Sequence, residues 1–376
     1  MLVVGAGITG AMAAEHLAAL GKSVCVIDRE TPTRGSTAAS TAMLQWEIDT
    51  PLRKLTDIYG YERASGIYRS SLCAVAGLAH HIAELQIDCG AAQRSTVYLA
   101  GKEVGYRDLR TEHELRQRAG LPGELLDHRQ LLDRFELTRE GAIVSPGSAD
   151  ADPVRLASGL LSAAIAHGAQ IFSAEAETYH DDGKAVIVEC RDGRFIETAH
   201  VVLATGYVIP DFIHTELHTI ASSWAIATAP QSDRLWPQRA LIWEASENYL
   251  YARTSPAGRI ILGGEDEDIA DPDQRDALTP QKTLTLAREL AALWPHAEAM
   301  PAYAWSGAFG KTSDGLPLIG TVPGRPRMFA AYGYGGNGIT FSYMASRIIA
   351  ALIAGQRQRW HDIFALDREA PSAAKS

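Results

Sequence analysis

Cysteine is scarce in this chain, and scattered. Cys25, Cys73, Cys89 and Cys190 stand far apart, with no C-x-x-C pair among them. That spacing argues against a structural zinc site and a disulfide framework, and suits a reducing, cytoplasmic setting. Long hydrophobic runs are missing too: none reaches the ~18 residues needed to cross a bilayer. The N-terminus lacks the basic region and cleavable apolar segment of a secretory leader. Its first strand begins so abruptly at Met1 that a few preceding residues are expected to be absent from this sequence. Positive charge is not in excess either. Lys and Arg number 35 against 45 Asp and Glu, a net charge of −10, which leaves no basic footprint for a nucleic acid. No metal-ligand spacing occurs. His80 and His81 read as structural residues of a helix, and the acidic run over 265–268 as a solvated loop. The remaining composition, 46% hydrophobic and 21% charged over 376 residues, is that of a globular protein with room for two domains.

What is abundant at the very start is glycine. The chain opens MLVVGAGITGAMAAEHLAALGKSVCVIDRE, where Gly5, Gly7 and Gly10 match G-x-G-x-x-G. Residues 2–4 read as the end of a buried strand and residues 11–20 as a helix. Gly5 permits the tight turn, Gly7 lets a pyrophosphate approach the backbone, and Gly10 lets helix and strand pack closely. Free N–H groups and the positive end of the helix dipole then face the phosphates. A second strand over 23–27 ends at Asp28, where an acid binds ribose hydroxyls. Strand, helix, second strand and acid together predict a dinucleotide site. Cys25, inside that second strand, reads as a small core hydrophobe.

Beyond this unit, RGSTAASTAML is a loop of small residues, followed by helices from 51 to about 85 and a strand over 95–99. The charged, irregular helical stretch 108–135 reads as a lid or an insertion in a substrate domain. Asp152 and Pro153 open a helix running to about His167. AVIVECRDGRFIET is a hairpin turning at Asp192 and Gly193, and HVVLATGY is a buried strand ending in a glycine turn. Residues 222–264 are all strands, and 279–293 form one helix. The tail supplies WSGAFGKTSDGLPLIG, the strand RMFAAYG, the loop YGGNG and a last helix over 339–354. Nucleotide-type segments thus recur at the start, middle and end. The fold class expected is α/β, a Rossmann-like domain on a parallel sheet interleaved with an α+β substrate domain on an antiparallel or mixed sheet. The first comprises 1–50, 141–212 and 306–376, the second 51–140 and 213–305.

Four separated motifs, GAGITG…VIDRE, GSTAASTAML, VVLATG, and WSGAFGKTSDGLPLIG with YGYGGNGITFS, resemble the D-amino acid oxidase superfamily of flavoproteins. Glycine oxidase and gamma-glutamylputrescine oxidoreductase represent the types it is most similar to. The order of the motifs covers nearly the whole chain. The resemblance implies FAD as cofactor. Gly5, Gly7 and Gly10, with Ile8 and Thr9, would cradle the pyrophosphate, and Asp28 with Arg29 would meet the adenosine ribose. Ser36, Thr37, Ser40 and Thr41, continuing into Ala42 and Leu44, would serve phosphate and ring. Ala204, Thr205 and Gly206 would pack under the nucleotide, and Asp314 with Gly315 would approach the ribityl chain. Gly335, Gly336, Asn337 and Gly338, with Ile339 and Thr340, would aim a helix N-terminus at the flavin pyrimidine edge, where negative charge develops on reduction.

Three departures from better-known members bear on the chemistry. Glycine-oxidase-like members carry a substrate-clamping arginine four residues after the motif tryptophan; here Phe309 stands there. Sarcosine-oxidase-like members carry an oxygen-activating lysine where this chain has Ile261, and a flavin-tethering cysteine where it has Gly307, so FAD is expected to be non-covalent. Among substrate-facing candidates, Tyr249, Tyr251 and Arg253 alternate on one strand face. Arg253 would hold an anion bidentately, unless that face is an ordinary sheet surface. Gln45, with Trp46, follows the flavin loop, and Lys311 is either structural or near the ring. The leading expectation is an enzyme that oxidises a C–N bond of a small amine or amino-acid derivative. Its electron acceptor is a quinone or oxygen, and it is a homo- or hetero-oligomer. The alternatives are a 2-hydroxy acid dehydrogenase on the same fold and a flavin subunit that needs a partner chain to turn over.

Overall fold

The computed structural model describes residues 1–213, 216–246 and 249–369. The tail end at 370–376, assigned above to the nucleotide domain, lies outside the described residues, as do 214, 215, 247 and 248. Leu2–Val4 is wholly buried because it is flanked on both sides by parallel strands. Among the described residues it is part of a six-stranded sheet ordered Leu318–Val322, Arg325–Tyr332, Val201–Leu203, Leu2–Val4, Cys25–Asp28 and Gln170–Ser173. Val4 registers with Leu203 on one side and Ile27 on the other. The strand ends therefore align, and the turns at Gly5, Asp28 and Ala204 gather at one edge, where ligands bind in open α/β sheets.

The first helix, Ile8–Ala19, is nearly all alanine, methionine and leucine on its buried side. It packs between the helices Pro153–Ala166 and Gly338–Ile353, which bring middle and end of the chain to the opening motif. Asp152 caps the middle helix by accepting from Val154 and Arg155 N–H at 3.0 and 2.9 Å. Gly5 has φ +105, a left-handed value, and a side chain there would strike the Ala204 carbonyl.

A second, larger sheet carries Pro301–Thr312, His218–Thr228, Ile260–Glu267, Tyr251–Thr254, Leu241–Ala245, Ala92–Ala100, Gly141–Asp150 and Met43–Leu44 in that order. Only its Leu241–Ala245 and Ala92–Ala100 pair is parallel. Glu124–Asp127 joins the edge of Gly141–Asp150. The sheet is covered by the helix Pro272–Leu293, longer than expected because Asp271 caps it and Pro272 sits in its first turn. A three-stranded sheet contains the expected hairpin.

Several expectations change. The strand Gly141–Asp150 belongs to the large sheet, and Pro301–Thr312 crosses residue 306, so the domain boundaries expected from sequence do not coincide with sheet membership. Cys25 is half-buried rather than a core residue. The stretch 108–135 is a helix, Tyr106–Arg118, a strand and a second helix, His128–Phe135, and it buries Glu112 and Arg116 instead of forming an open lid. No described helix is long and apolar enough to cross a membrane.

Candidate active site

Two cavities meet at the sheet edge. The smaller, about 510 Å³, is walled by Ile8, Thr9, Thr37, Gly206 and Tyr334. The larger, about 1020 Å³ including its mouth, lies between the small-residue loop and the large sheet. Ser36, Ser40, Tyr207, Gly338 and Ile339 line both, so the cavities form one elongated space.

The helices Ile8–Ala19 and Gly338–Ile353 begin at this space with no bond from their N-cap residues' side chains and no acid in their first turns, although Thr37 accepts from the Ile8 N–H. Uncapped N–H groups of that kind favour an anion such as a pyrophosphate. Backbone stays open toward the ligand: a Cβ on Gly338 would meet nothing within 4 Å, and one on Gly206 only Ser36 Oγ at 3.8 Å. An uncapped helix end, an open glycine backbone and a long adjoining space fit a dinucleotide carrying a large ring.

The loop after Gly35 is held from both sides. Thr37 Oγ1 accepts from Ile8 N–H at 2.9 Å, and Trp305 Nε1 donates to Ala39 O at 2.8 Å. Asn337 then ties the following segment to the tail, donating to Glu47 O at 2.8 Å and to Gln45 O at 3.3 Å. Thr340 adds a bond to Gln45 O at 2.9 Å. Thr9 meets Ser342 at 2.7 Å, which fixes the first helix to the last. These bonds join parts of the chain almost three hundred residues apart around one space.

Half of the residues expected at the cofactor line this space: Ile8, Thr9, Ser36, Thr37, Ser40, Thr41, Ala42, Gly206, Gly335, Gly336, Gly338 and Ile339. Others stand behind it. Leu44 is buried, Asn337 and Thr340 act through the bonds above, and the Ala204 carbonyl with Thr205 N abuts Gly5. Arg29 reaches the surface and pairs with Glu175 at 3.7 Å. Asp28 accepts from Ala6 N–H at 2.6 Å and from Glu30 N–H at 2.9 Å, which fixes the carboxylate at the strand end. Asp28→Ala is therefore expected to weaken FAD binding by roughly 1.5–3 kcal/mol, because it removes a charged acceptor and loosens the glycine turn. Titration of the apoprotein with FAD, followed by fluorescence, checks this; unchanged affinity would dissociate Asp28 from the nucleotide.

Four expected positions are corrected. Arg253 does not line the cavity: its guanidinium donates to the Thr41 carbonyl and lies 3.7 Å from Asp150, buried behind the loop. Lys311 does not line the cavity: it is 42% exposed and pairs with Asp268, although its charge still reaches Asp266 on the wall. Asp314 is wholly buried; burial opposes its ionisation, but Arg368 at 2.8 Å and the Tyr59 hydroxyl at 2.5 Å hold it below the usual carboxylate range. Neither it nor Gly315, whose added Cβ would strike Thr50, lines either cavity. The acidic run is not all solvated: Asp266 lines the large cavity, and Glu265 and Glu267 hold Lys282 at 3.2 and 2.8 Å. His81 has a buried partner, Glu15, at 2.7 Å, and remains structural.

Beside Gln45, which the sequence reading named, the wall contains two acids that it passed over, Glu47 and Asp49. Gln45, Glu47 and Asp49 all line the large cavity, while Trp46 and Ile48 are fully buried. The polar–apolar alternation of Q-W-E-I-D was the available signal. Every charged residue on the described walls is acidic, Glu47, Asp49 and Asp266, and of these the Glu47 carboxylate is turned to Arg116 at 3.6 Å and to Thr96. Burial pushes Asp49 up to about 6, with the charge of Asp266 adding to the rise and the Gly336 N–H opposing it. Burial also raises Asp266 and Glu47, the latter against the pull of Arg116. Tyr249 and Tyr251 stand beside these acids, their phenols pushed above the ordinary range by burial first.

Comparison with known proteins gives the same picture. A family described as "DAO: FAD dependent oxidoreductase" matches residues 1–352. Gamma-glutamylputrescine oxidoreductase of Escherichia coli is 25% identical over 96% of this chain and 85% of its own length. The crystal structure of glycine oxidase from Geobacillus kaustophilus superposes with a TM-score of 0.80 at 22% identity, covering 98% of both chains. An L-alpha-glycerophosphate oxidase from Mycoplasma pneumoniae, solved with FAD bound, superposes at 0.78 with 14% identity over 94% of each chain.

Proposed function

This chain belongs to the DAO family of FAD dependent oxidoreductases, and from that premise we propose that it oxidises a C–N bond of a small amine or amino-acid derivative. The observation that carries the reading is the wall of the large cavity, where Asp49, Asp266 and several aromatic rings line the space and no lysine or arginine does among the described residues. A 2-hydroxy acid would bring a carboxylate there with no cation to meet it, which is costly in a water-poor site. An amine meets both acids and ring faces, and both attract it.

Bound FAD would supply the two-electron acceptor for a hydride leaving the carbon next to nitrogen; the imine left behind takes up water and releases ammonia or an amine. The chain's own residues position and enclose. The glycine turn and the N-termini of the first and last helices would hold the pyrophosphate and the pyrimidine edge. Gln45, whose Nε2 is buried without a partner among the described residues, offers a donor at the cavity wall. Tyr249, Tyr251 and Trp243 shield the substrate carbon from water. Anaerobic mixing of the yellow protein tests the reading: amines should bleach the flavin. Bleaching by 2-hydroxy acids alone would replace the proposal with the hydroxy-acid reading. No bleaching by either would favour a flavin subunit that works only with a partner chain.

The acceptor follows from the same wall. Oxygen reduction begins with a one-electron step that creates superoxide beside the ring, and a nearby ammonium stabilises that anion strongly in a low-dielectric site. Ile261 supplies none, and Lys311 is held at the surface by Asp268. The photoreduced enzyme is therefore expected to reoxidise slowly in air and quickly with a quinone or dye, as stopped-flow mixing would record. Oxygen reactivity as fast as in efficient oxidases would refute this. With Gly307 where a tether would stand, acid precipitation should leave the yellow colour in the supernatant.

A further inference from the structure

Asp49 and Asp266 approach the large cavity from unrelated elements, the first from the segment after Met43–Leu44 and the second from the strand Ile260–Glu267. Asp49 is fixed by Gly336 N–H, which donates to its Oδ2 at 2.6 Å. Asp266 Oδ1 is buried with no hydrogen-bond partner among the described residues. Beside them stand Tyr249 and Tyr251, their ring centroids 5.9 Å apart, and the Tyr251 hydroxyl meets Ser223 at 3.3 Å. Trp243, on the same wall and only 6% exposed, has an indole N–H with no partner among the described residues. Ser223 and the charges of Lys311 and Lys282 oppose the burial of Asp266 only in part, since Lys311 is paired with Asp268 and Lys282 with Glu265 and Glu267. Two carboxylates facing one enclosed space repel each other and are costly to bury without a counter-charge.

Resting on the C–N oxidation reading, we infer that Asp49 and Asp266, with the faces of Tyr249 and Tyr251, form a receptor for a second cationic group of the substrate. The preferred substrate is then an aliphatic diamine, or a comparable dication, with no carboxylate at its far end. The acids serve the nitrogen that does not react. A hydride leaves only from a carbon whose nitrogen is neutral, and carboxylates stabilise the charged form of an amine. The remote ammonium, by contrast, gains from two charge-assisted bonds and from two ring faces. Four groups bear on Asp49 here: the Gly336 amide, Tyr249, Tyr251 and Asp266. Since burial pushes Asp49 up to about 6 and also raises Asp266, the preference for a dication should be strongest at higher pH and decline as the two carboxyls take up protons.

The test uses the holoenzyme with 1,4-diaminobutane, butylamine and 4-aminobutyrate. Rates of anaerobic flavin bleaching are read first. Calorimetric affinities are then taken on the photoreduced enzyme, which cannot turn the ligands over. The diamine should bind about tenfold or more tighter than butylamine, the scale of one charge-assisted hydrogen bond, and 4-aminobutyrate more weakly than either. Asp266→Asn and Asp49→Asn should each narrow the gap between diamine and butylamine. Flavin content and melting temperature report whether each variant folds, and if Asp49→Asn does not, Asp266→Asn decides. Equal or tighter binding of 4-aminobutyrate, or an undiminished diamine preference in a folded Asp266→Asn, would overturn the receptor. If no amine bleaches the flavin while the reduced enzyme still prefers the diamine, the C–N reading fails and the receptor stands.

Discussion

Gly10→Ala is expected to purify colourless, with a melting temperature well below that of the parent. A Cβ at this position would overlap the Gly5 carbonyl oxygen and lie 2.9 Å from its carbon. Both are backbone atoms, and Gly5 is itself locked at φ +105 against Ala204. No side chain can swing aside, so helix and strand must separate. Overpacking of this kind costs about 1–3 kcal/mol or more, and the shift also carries the helix N-terminus away from where the pyrophosphate would sit. Gly7→Ala is the contrast, because its Cβ would meet only a side-chain atom, Thr37 Oγ1, at 3.1 Å, a contact relieved by a shift of a few tenths of an ångström rather than by parting helix and strand. Flavin absorbance per protein and thermal melts distinguish the two. A yellow Gly10→Ala with an unchanged melt would show that the opening turn is not what holds the cofactor.

Arg116→Met should be the most destabilising single change away from the glycine turn. Arg116 is 1% exposed; its Nε donates to Glu112 at 2.8 Å and its Nη1 lies 3.6 Å from Glu47. The guanidinium also lies 5.6, 5.6 and 5.5 Å from the rings of Trp46, Tyr68 and Tyr98. Glu112 further accepts from the N–H groups of Leu52 and Arg53 at 3.0 and 2.8 Å, which anchors the start of the helix Leu52–Tyr59. Methionine fills much of the volume but leaves two buried carboxylates without their cation, a loss of about 3–5 kcal/mol.

The pH dependence has a definite sign. Burial already raises the folded-state pKa of Glu47, and removing Arg116 raises it further. A carboxyl raised in this way favours folding at low pH, and that advantage disappears as pH rises through its folded value. The stability deficit of the variant should therefore be larger in mildly alkaline than in acidic buffer. Denaturant melts at several pH values would show it, and Glu47→Gln added to Arg116→Met should recover part of the loss. A deficit independent of pH would mean that packing rather than charge is what Arg116 contributes.

The sequence by itself determined the nucleotide half of this protein. G-x-G-x-x-G between a strand and a helix, an acid ending the next strand, and a second glycine loop before the last helix are local patterns. Their meaning is written in backbone sterics and in helix N-termini, which do not depend on what packs nearby. Small residues at 35–42 were legible for the same reason, since a loop that approaches a ligand closely has room for little else.

The substrate wall was decided only by tertiary structure. Tyr251 and Arg253 share a strand face, yet two residues of strand span roughly 7 Å. That distance carries Arg253 past the cavity to the Thr41 carbonyl and Asp150, while Tyr251 remains on the wall. Asp266 sits in a run of four acids that looks uniformly solvated. The pairing of its strand turns it inward, while its neighbours Glu265 and Glu267 hold Lys282. Arg116 lies in a charged helix whose pattern suggested a lid or a substrate-domain insertion, and only the packing of that helix against Glu47 makes it a core residue. Charged side chains are long, and either water or a buried partner can satisfy them. Which one does so depends on the distance between residues far apart in the chain, and that distance is fixed only when the sheets have assembled.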